Sequence, residues 1–382
     1  MQWPTGFAAF VGSAALRDDG HDVAVVSMDR QGTSAGVFTQ SLFSGPSVVI
    51  SRERLAATSP RALVVVAKNA NVANGAQGHA DAVEVARLAA GAAGVAAEEM
   101  LIASTGVIGR PYPMPALRAC LAGSTTEPWS ATPLEVARAI MTTDTVPKTA
   151  QRRVGAASVV GVAKGVGMIE PEMATLLAFA FTDAAVARPA LERMWRRAVD
   201  ASFNCLSIDT DTSTSDAAVV LASGAAGAVD EAILASALRE VCLDLTLQLA
   251  REGEGATKLL AVTVRDARDE DQARRVAKSI VNSPLVKTAV HGADPNWGRV
   301  AMAVGKCHEE SDIDPERVVI RFGDLEAYPA RPGPEGLAEL ARAMAADHVE
   351  IDVQLCTGAA EATVYGCDLS ADYVRINADY TT

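Results

Sequence analysis

One hydroxyl sits at the mouth of a continuous apolar run, and its surroundings have the makings of a self-activated nucleophile. The stretch Lys164-Gly165-Val166-Gly167-Met168-Ile169-Glu170-Pro171-Glu172-Met173-Ala174-Thr175 leads directly into Leu176–Phe181. Gly165 and Gly167 admit backbone turns closed to residues with a Cβ, and Pro171 stiffens the approach. The apolar run has the length and pattern of a strand buried on both faces. A small residue, then Thr, then a buried strand suits a self-cleaving precursor. Scission between Ala174 and Thr175 would free an α-amine able to act as base for the hydroxyl of the same Thr175. The same residues also read as a loop entering a core strand with an incidental threonine, and on this stretch alone that plainer reading stands.

Other stretches carry polar groups at turn positions. Ala103-Ser104-Thr105-Gly106-Val107-Ile108-Gly109-Arg110 presents backbone N–H groups and hydroxyls together, which is suitable hardware for an oxyanion. Such turns are also common as bare connectors. Lys68-Asn69-Ala70-Asn71-Val72-Ala73-Asn74-Gly75 could hydrogen-bond a ligand or knit its own loop through Asx turns. Asp209 and Asp211 alternate in a hydroxyl-rich loop that hints at a hard metal ion, but the spaced glycine and terminal glutamate of an EF-hand are missing. Asn282–Arg299 packs His291, Asp294, Asn296 and Arg299 into one turn-rich stretch.

The elements that must position these groups alternate between strand and helix, which predicts an α/β protein. Strands are expected at Val23–Met28, Ser34–Phe38, Ala62–Ala67, Ser158–Ala163 and Leu259–Arg265, and again at Val318–Phe322 and Val349–Leu355. A last strand pair is expected at Glu361–Tyr365 and Tyr373–Ile376. Amphipathic periodicity predicts helices at Asp81–Ala93, Leu134–Met141, Ala190–Phe203, Val229–Arg251 and Asp269–Val281, with another around Gly336–Ala346.

Composition narrows the function classes. The 382 residues are 49% hydrophobic and 21% charged, ordinary for a globular enzyme of two or three packed domains. The formal charge of −13 comes without any basic stripe, which argues against nucleic acid and anionic membranes as partners. Residues Met1–Thr5 show no basic region followed by an apolar core, so no secretory signal is expected, and no window is apolar enough for a membrane span. Cys120, Cys205, Cys242, Cys307, Cys356 and Cys367 lack C-x-x-C spacing and fit buried thiols in a reducing cytoplasm. No phosphate loop of Walker or Rossmann type occurs, and no metal or redox motif, so no cofactor is expected.

Taken in register, the blocks identify a relationship. Lys68–Asn71, Ser104–Gly109, Thr142-Thr143-Asp144-Thr145, Lys164–Thr175, Asp211–Thr214, Glu254-Gly255-Ala256, Asn282–Arg299 and Asn377–Thr382 resemble the ornithine acetyltransferase (glutamate N-acetyltransferase) family along nearly the whole chain. The resemblance implies a mixed α/β fold in which two self-cleaved fragments, 1–174 and 175–382, interlock and pair again into a heterotetramer, without the cut marking a domain boundary. It implies Thr175 as nucleophile released after Ala174, Thr105 and Gly106 as oxyanion donors, and substrate contacts from Thr142, Lys164, Thr175, Glu254, Asn377 and Thr382. The implied reaction moves acetyl from N-acetylornithine to glutamate. Acetyl-CoA as a second donor is left open, because the family holds members of both kinds.

One loop departs from the commoner family pattern. A Gly is usual where Thr210 stands and an Asn where Ser215 stands. Those variants resemble the branch associated with clavulanic acid biosynthesis, which leaves a secondary-metabolic acceptor open. The rival readings are an N-terminal-nucleophile aminopeptidase, in which water replaces glutamate, and a non-catalytic paralogue.

Overall fold

The computed structural model describes residues 1–17, 20–125, 129–170 and 176–379. These gather into two compact units. One comprises Met1–Asn204 with Asp211–Leu245, and the other Cys205–Thr210 with the chain from Thr246 on. Neither boundary falls at position 174.

The first unit runs in the order β1 (Phe7–Gly12), β2 (Val23–Met28), β3 (Thr33–Phe38), α1 (Pro46–Ala57), β4 (Ala62–Val66), α2 (Gly75–Ala93) and β5 (Met100–Ser104). It continues through α3 (Met114–Gly123), α4 (Pro133–Ala139), β6 (Lys148–Val154), β7 (Ala157–Lys164), β8 (Leu177–Ala185), α5 (Arg188–Asp200), β9 (Ala217–Ala228) and the start of α6 (Glu231–Arg251). Its strands form two sheets, in the orders β1-β2-β4-β5 and β3-β9-β8-β7-β6. The sheets share one apolar core, in which Val26, Leu63 and Leu101 of the first pack with Val162, Phe179, Phe181 and Val219 of the second. The outer face of the first sheet is covered by Val85 and Ala89 of α2 and by Leu117 and Leu121 of α3. On the second sheet, Gly161 of β7 leaves room for Val241 and Leu245 of α6, since a Cβ there would meet both side chains. The result is a four-layer α/β/β/α arrangement.

The buried strand expected at Leu176–Phe181 is present as β8, with every residue from Leu177 to Ala184 buried. It pairs antiparallel with β7 and parallel with β9. In that sheet β8 and β9, from after position 174, lie side by side between β3 and β7, from before it.

The second unit takes the end of α6, then β10 (Leu259–Ala267), α7 (Glu270–Val281), α8 (Pro284–His291), α9 (Trp297–Gly305), β11 (Val319–Phe322) and β12 (Leu325–Tyr328). It closes with α10 (Pro334–Met344), β13 (His348–Gln354), β14 (Ala360–Cys367) and α11 (Ala371–Asp379). One sheet, ordered β12-β11-β13-β10-β14, buries Val262, Val264, Ile320, Ile351 and Val364 against Val276, Ile280, Val290, Val300 and Leu340 of the helices.

Two sequence expectations are corrected. Tyr373–Ile376 lies within helix α11 rather than a strand, because the Ser370 hydroxyl accepts the Asp372 amide at 3.1 Å and starts the helix, and Asp372 favours its first turn. Asn282–Arg299 is mostly helical. The Ser283 hydroxyl caps the Val286 amide, Pro284 takes the first position of α8, and α9 begins at Trp297. Among the described residues, no helix is long and apolar enough to cross a membrane.

Candidate active site

Strands β4 and β5 run parallel in register, so their C-terminal ends deliver Lys68 and Thr105 to the same edge of the sheet. Asn69 bridges to Thr105 and Val107. The Thr105 amide donates to the Val66 carbonyl at 3.1 Å, and the Val107 amide to the Lys68 carbonyl at 3.3 Å. Those bonds spend the amides on either side of Gly106. The Gly106 N–H and the Thr105 hydroxyl have no partner among the described residues, and Thr105 is 7% exposed. Gly106 has φ +128°, and a Cβ there would overlap the Lys68 carbonyl carbon, so glycine is required. A donor pair left vacant beside a fixed backbone is what an oxyanion needs.

A second cluster of the same unit surrounds Asp144. Helix α4 opens with a reciprocal cap, in which the Thr132 amide donates to Glu135 Oε2 at 2.7 Å and the Glu135 amide to Thr132 Oγ1 at 3.3 Å. Its C-terminal end leads to Thr142. Asp144 Oδ2 accepts the Thr142 amide at 3.0 Å, and Oδ1 accepts the Gly165 amide at 2.7 Å and Lys148 Nζ at 2.7 Å. Lys164, the last residue of β7, points its Nζ to Thr142 Oγ1 at 3.5 Å. Lys68 Nζ donates to the Thr142 carbonyl. Burial alone would push the Asp144 carboxyl up. The ammonium charges of Lys164 and Lys148, with the hydrogen bonds from Lys148 and Gly165, outweigh burial and hold it below its ordinary value.

The loop after Gly165 is laced to the polar loop from Asp211. The Glu170 amide donates to the Asp211 carbonyl at 3.0 Å, and Thr212 Oγ1 to the Glu170 carbonyl at 3.1 Å. Beyond Glu170 the chain passes outside the described residues, so the Ala174–Thr175 bond, the expected nucleophile Thr175 and the expected substrate contact Thr382 all lie there.

In the second unit, Glu254 follows the end of α6. Asn377 of α11 donates from Nδ2 to Glu254 Oε2 at 2.9 Å, which joins two residues singled out in the sequence. Gly255 has φ +69° and no room for a side chain against the Tyr373 amide nitrogen, and its carbonyl accepts the Ser370 hydroxyl at 2.6 Å. The loop's far side is tied by Asp368. Its Oδ1 accepts the Thr257 and Lys258 amides at 2.7 and 2.9 Å. Its Oδ2 accepts the Thr257 hydroxyl at 2.6 Å and His291 Nδ1–H at 2.7 Å. Burial works to raise this carboxyl too, and the hydrogen bonds from Thr257, His291 and Lys258 outweigh it and lower it.

Of the residues marked in the sequence, the structure brings together Thr105 with Gly106, Thr142 with Lys164, and Glu254 with Asn377. Sequence reasoning passed over Asp144 as a functional group, along with Lys148 and Asp368. The one available signal was the Asp inside Thr142-Thr143-Asp144-Thr145, followed four positions on by a lysine.

Comparison with known proteins agrees over the full length. The ArgJ family profile matches residues 8–382. The chain is 55% identical over 379 residues to "Arginine biosynthesis bifunctional protein ArgJ 2" of Nostoc sp., covering 99% of this chain and 98% of that one. It is 51% identical over 390 residues to "Glutamate N-acetyltransferase Oat2" of Streptomyces clavuligerus, again covering 99% and 98%. A solved structure of an arginine biosynthesis bifunctional protein ArgJ from Bacillus halodurans superposes with a TM-score of 0.50 at 39% identity, covering 53% of this chain and 98% of that one. The chain belongs to the ArgJ family.

Proposed function

We propose that this chain is a glutamate N-acetyltransferase that moves acetyl from N-acetylornithine to glutamate through an O-acetyl-Thr175 intermediate, after cutting itself between Ala174 and Thr175. The observation that carries the reading is the vacant donor pair, Thr105 hydroxyl and Gly106 N–H, in a chain 51% identical to a relative named for this activity.

The chemistry follows from residue type. The α-amine released at Thr175 titrates near ~7.7–8.0 in the absence of perturbation, so a sizeable fraction is neutral near pH 7.5 and able to take the Oγ proton. Oγ then attacks the acetyl carbonyl, and the Thr105 and Gly106 donors take the negative oxygen. Collapse of the tetrahedral adduct transfers the proton to the departing amine, and ornithine leaves. The glutamate amine attacks the ester, passes through the same donors and departs as N-acetylglutamate, returning the proton to Thr175 Oγ. In this reading Lys164 and Thr142 take a substrate α-carboxylate, Glu254 with Asn377 takes the ornithine side-chain ammonium, and Thr382 is a further substrate contact.

Self-cleavage has its own support. The Bacillus halodurans chain is matched almost end to end by 53% of this one, the proportion expected of one fragment of a chain cut near its middle. The fragments 1–174 and 175–382 would stay joined through β7 and β8 and assemble as a heterotetramer of two copies each, a stoichiometry that native mass spectrometry reads directly.

The test is mass spectrometry of purified protein. Wild type should yield two fragments, the first ending at Ala174, and N-acetylornithine alone should add one acetyl mass to the second. Glutamate should remove it, with parallel double-reciprocal kinetics. Thr175→Ala should remain one intact chain. Uncut wild type with full activity would end the Thr175 assignment, and acetyl release by water at the same rate without glutamate would make the protein a hydrolase. Substituting acetyl-CoA for N-acetylornithine in the same assay shows whether it serves as a second donor, and substituting other amines for glutamate shows whether the acceptor belongs to arginine or to secondary metabolism.

A further inference from the structure

We propose that Asp144 is the positioning residue that sets Lys164 and Thr142 to receive the carboxylate of the substrate. The inference rests on the reading of Lys164 just given.

Both residues hang from amides that Asp144 holds. Thr142 is gripped through its own N–H by Oδ2, and Lys164 through the next amide, Gly165 N–H, by Oδ1. One carboxylate thus fixes the exit of α4 against the end of β7. With those two backbone points pinned, Lys164 Nζ comes to 3.5 Å from Thr142 Oγ1. Lys164 is 8% exposed, so little of the bond's geometry is left to solvent.

Lys148 explains how Asp144 holds Lys164 without neutralising it. Lys148 enters the sheet at the first position of β6, opposite Ala163, with 0% of its side chain exposed, and binds Asp144 Oδ1 at 2.7 Å. Asp144 also has 0% of its side chain exposed. With Lys68, whose ammonium donates to the Thr142 carbonyl, the cluster sets three ammonium groups against one carboxylate in a protein whose formal charge is −13. Lys148 offsets the charge of Asp144, so the Lys164 ammonium keeps its attraction for an anion. The arrangement keeps a cation poised where the reading needs one, and it uses backbone amides to aim it.

The geometry also excludes an amide at this position. Both oxygens of Asp144 accept from N–H groups, so either orientation of an asparagine sets its NH2 against a backbone donor. The test is calorimetric binding of L-ornithine and of its α-carboxamide, neither of which carries acetyl, to wild type and Asp144→Asn. Wild type should prefer the acid by more than about tenfold, the worth of one charge-assisted hydrogen bond. In Asp144→Asn that preference should shrink by about tenfold, while the carboxamide binds nearly as before. A purely structural role would weaken both ligands together and leave their ratio unchanged. If Asp144→Asn does not fold, Asp144→Asn/Lys148→Met, which removes both buried charges, carries the same measurement and the same expectation. A folded variant that keeps the wild-type ratio overturns the inference and leaves the Lys164 reading intact. Wild type that binds acid and amide alike overturns the Lys164 reading and this inference with it, while acetylation of Thr175, read by mass, judges the reaction separately.

Discussion

Asp144 in the first unit and Asp368 in the second perform the same mechanical task with different partners. Each is a buried carboxylate that collects two backbone amides beside proposed substrate contacts, Asp144 from two separate segments and Asp368 from one loop. Asp144 splits its amides between its oxygens and takes a fully buried lysine as counter-charge. Asp368 gives both amides to Oδ1 and leaves Oδ2 to a hydroxyl and a half-exposed histidine. The first knot is held by fixed charge in the dry interior. The second is held by groups that can exchange donor and acceptor roles. The same backbone job can thus be rigid or forgiving, depending on what the second oxygen faces.

Asparagine at each position breaks that comparison most sharply. Asp144→Asn forces NH2 against a backbone N–H and removes the counter-charge of Lys148, so it should cost about 3–5 kcal/mol. Asp368→Asn keeps an oxygen for the Thr257 and Lys258 amides and turns its NH2 toward Thr257 Oγ1 and His291 Nδ1, both able to accept. Its cost should be about 1 kcal/mol or less. Urea unfolding of the two variants decides it. Equal losses would mean that the pattern of acceptors is irrelevant and that burial alone sets the cost.

Activity should divide along the same line. Thr105→Ala removes a donor that meets charge only in the transition state, so kcat for acetyl transfer should fall by roughly 100- to 1,000-fold with little change in KM. Glu254→Gln in the second unit removes a group that the proposed function places on the bound ground state, so its effect should appear mainly in KM for N-acetylornithine. A Thr105→Ala effect confined to KM would make that hydroxyl a substrate contact instead.

Acid titration compares the knots with their surroundings. Both carboxyls sit below their ordinary value in the folded chain, so each takes up its proton at lower pH folded than unfolded. The stability they contribute is therefore complete above the unfolded value of about 3.9 and is lost as pH falls through the lower folded values. Replacing the Asp144–Lys148 pair by Asn and Met should flatten the loss of stability below about pH 4. Wild-type and variant curves that differ only by a constant offset would show that Asp144 contributes nothing to acid unfolding.

The residues that announce chemistry were easier to read in the sequence than those that hold them in place. Thr105 and Gly106 stand in a turn of glycines and hydroxyls, where local residue type carries the signal, whereas Lys164 and Glu254 were marked only by the family resemblance. Strand β8 was legible because Leu177–Ala184 is buried on both faces and so apolar throughout. Lys148 was not legible. It belongs to β6, whose sequence KTAQRRV carries no apolar alternation, and its partner is fixed only when β6 folds back on β7. Asp368 gains its role from the Thr257 and Lys258 amides, more than a hundred positions away. Helix α11 was read as a strand because Tyr373, Val374 and Ile376 favour strands singly, while the Ser370 cap that decides the matter lies outside that run.

The smallest expected effect lies in the second unit's own backbone. Gly106 and Gly255 hold positive φ where no Cβ fits, so substitution there would break each loop. Thr210 holds φ +70° with a branched side chain, at the position where the family resemblance leads one to expect glycine. A β-branched residue in the left-handed region costs about 1–2 kcal/mol against the right-handed default. Glycine removes that strain and adds freedom to the unfolded chain worth about 0.4–1 kcal/mol. Because Thr210 is exposed and loses no core contact, Thr210→Gly should leave the protein more stable by up to about 1 kcal/mol, with acetyl transfer unchanged. A urea midpoint that rises without a change in slope would confirm relief of local strain. A midpoint that falls would mean that contacts of the Thr210 side chain outweigh its backbone strain, and the left-handed turn would then be held by the threonine rather than endured by it.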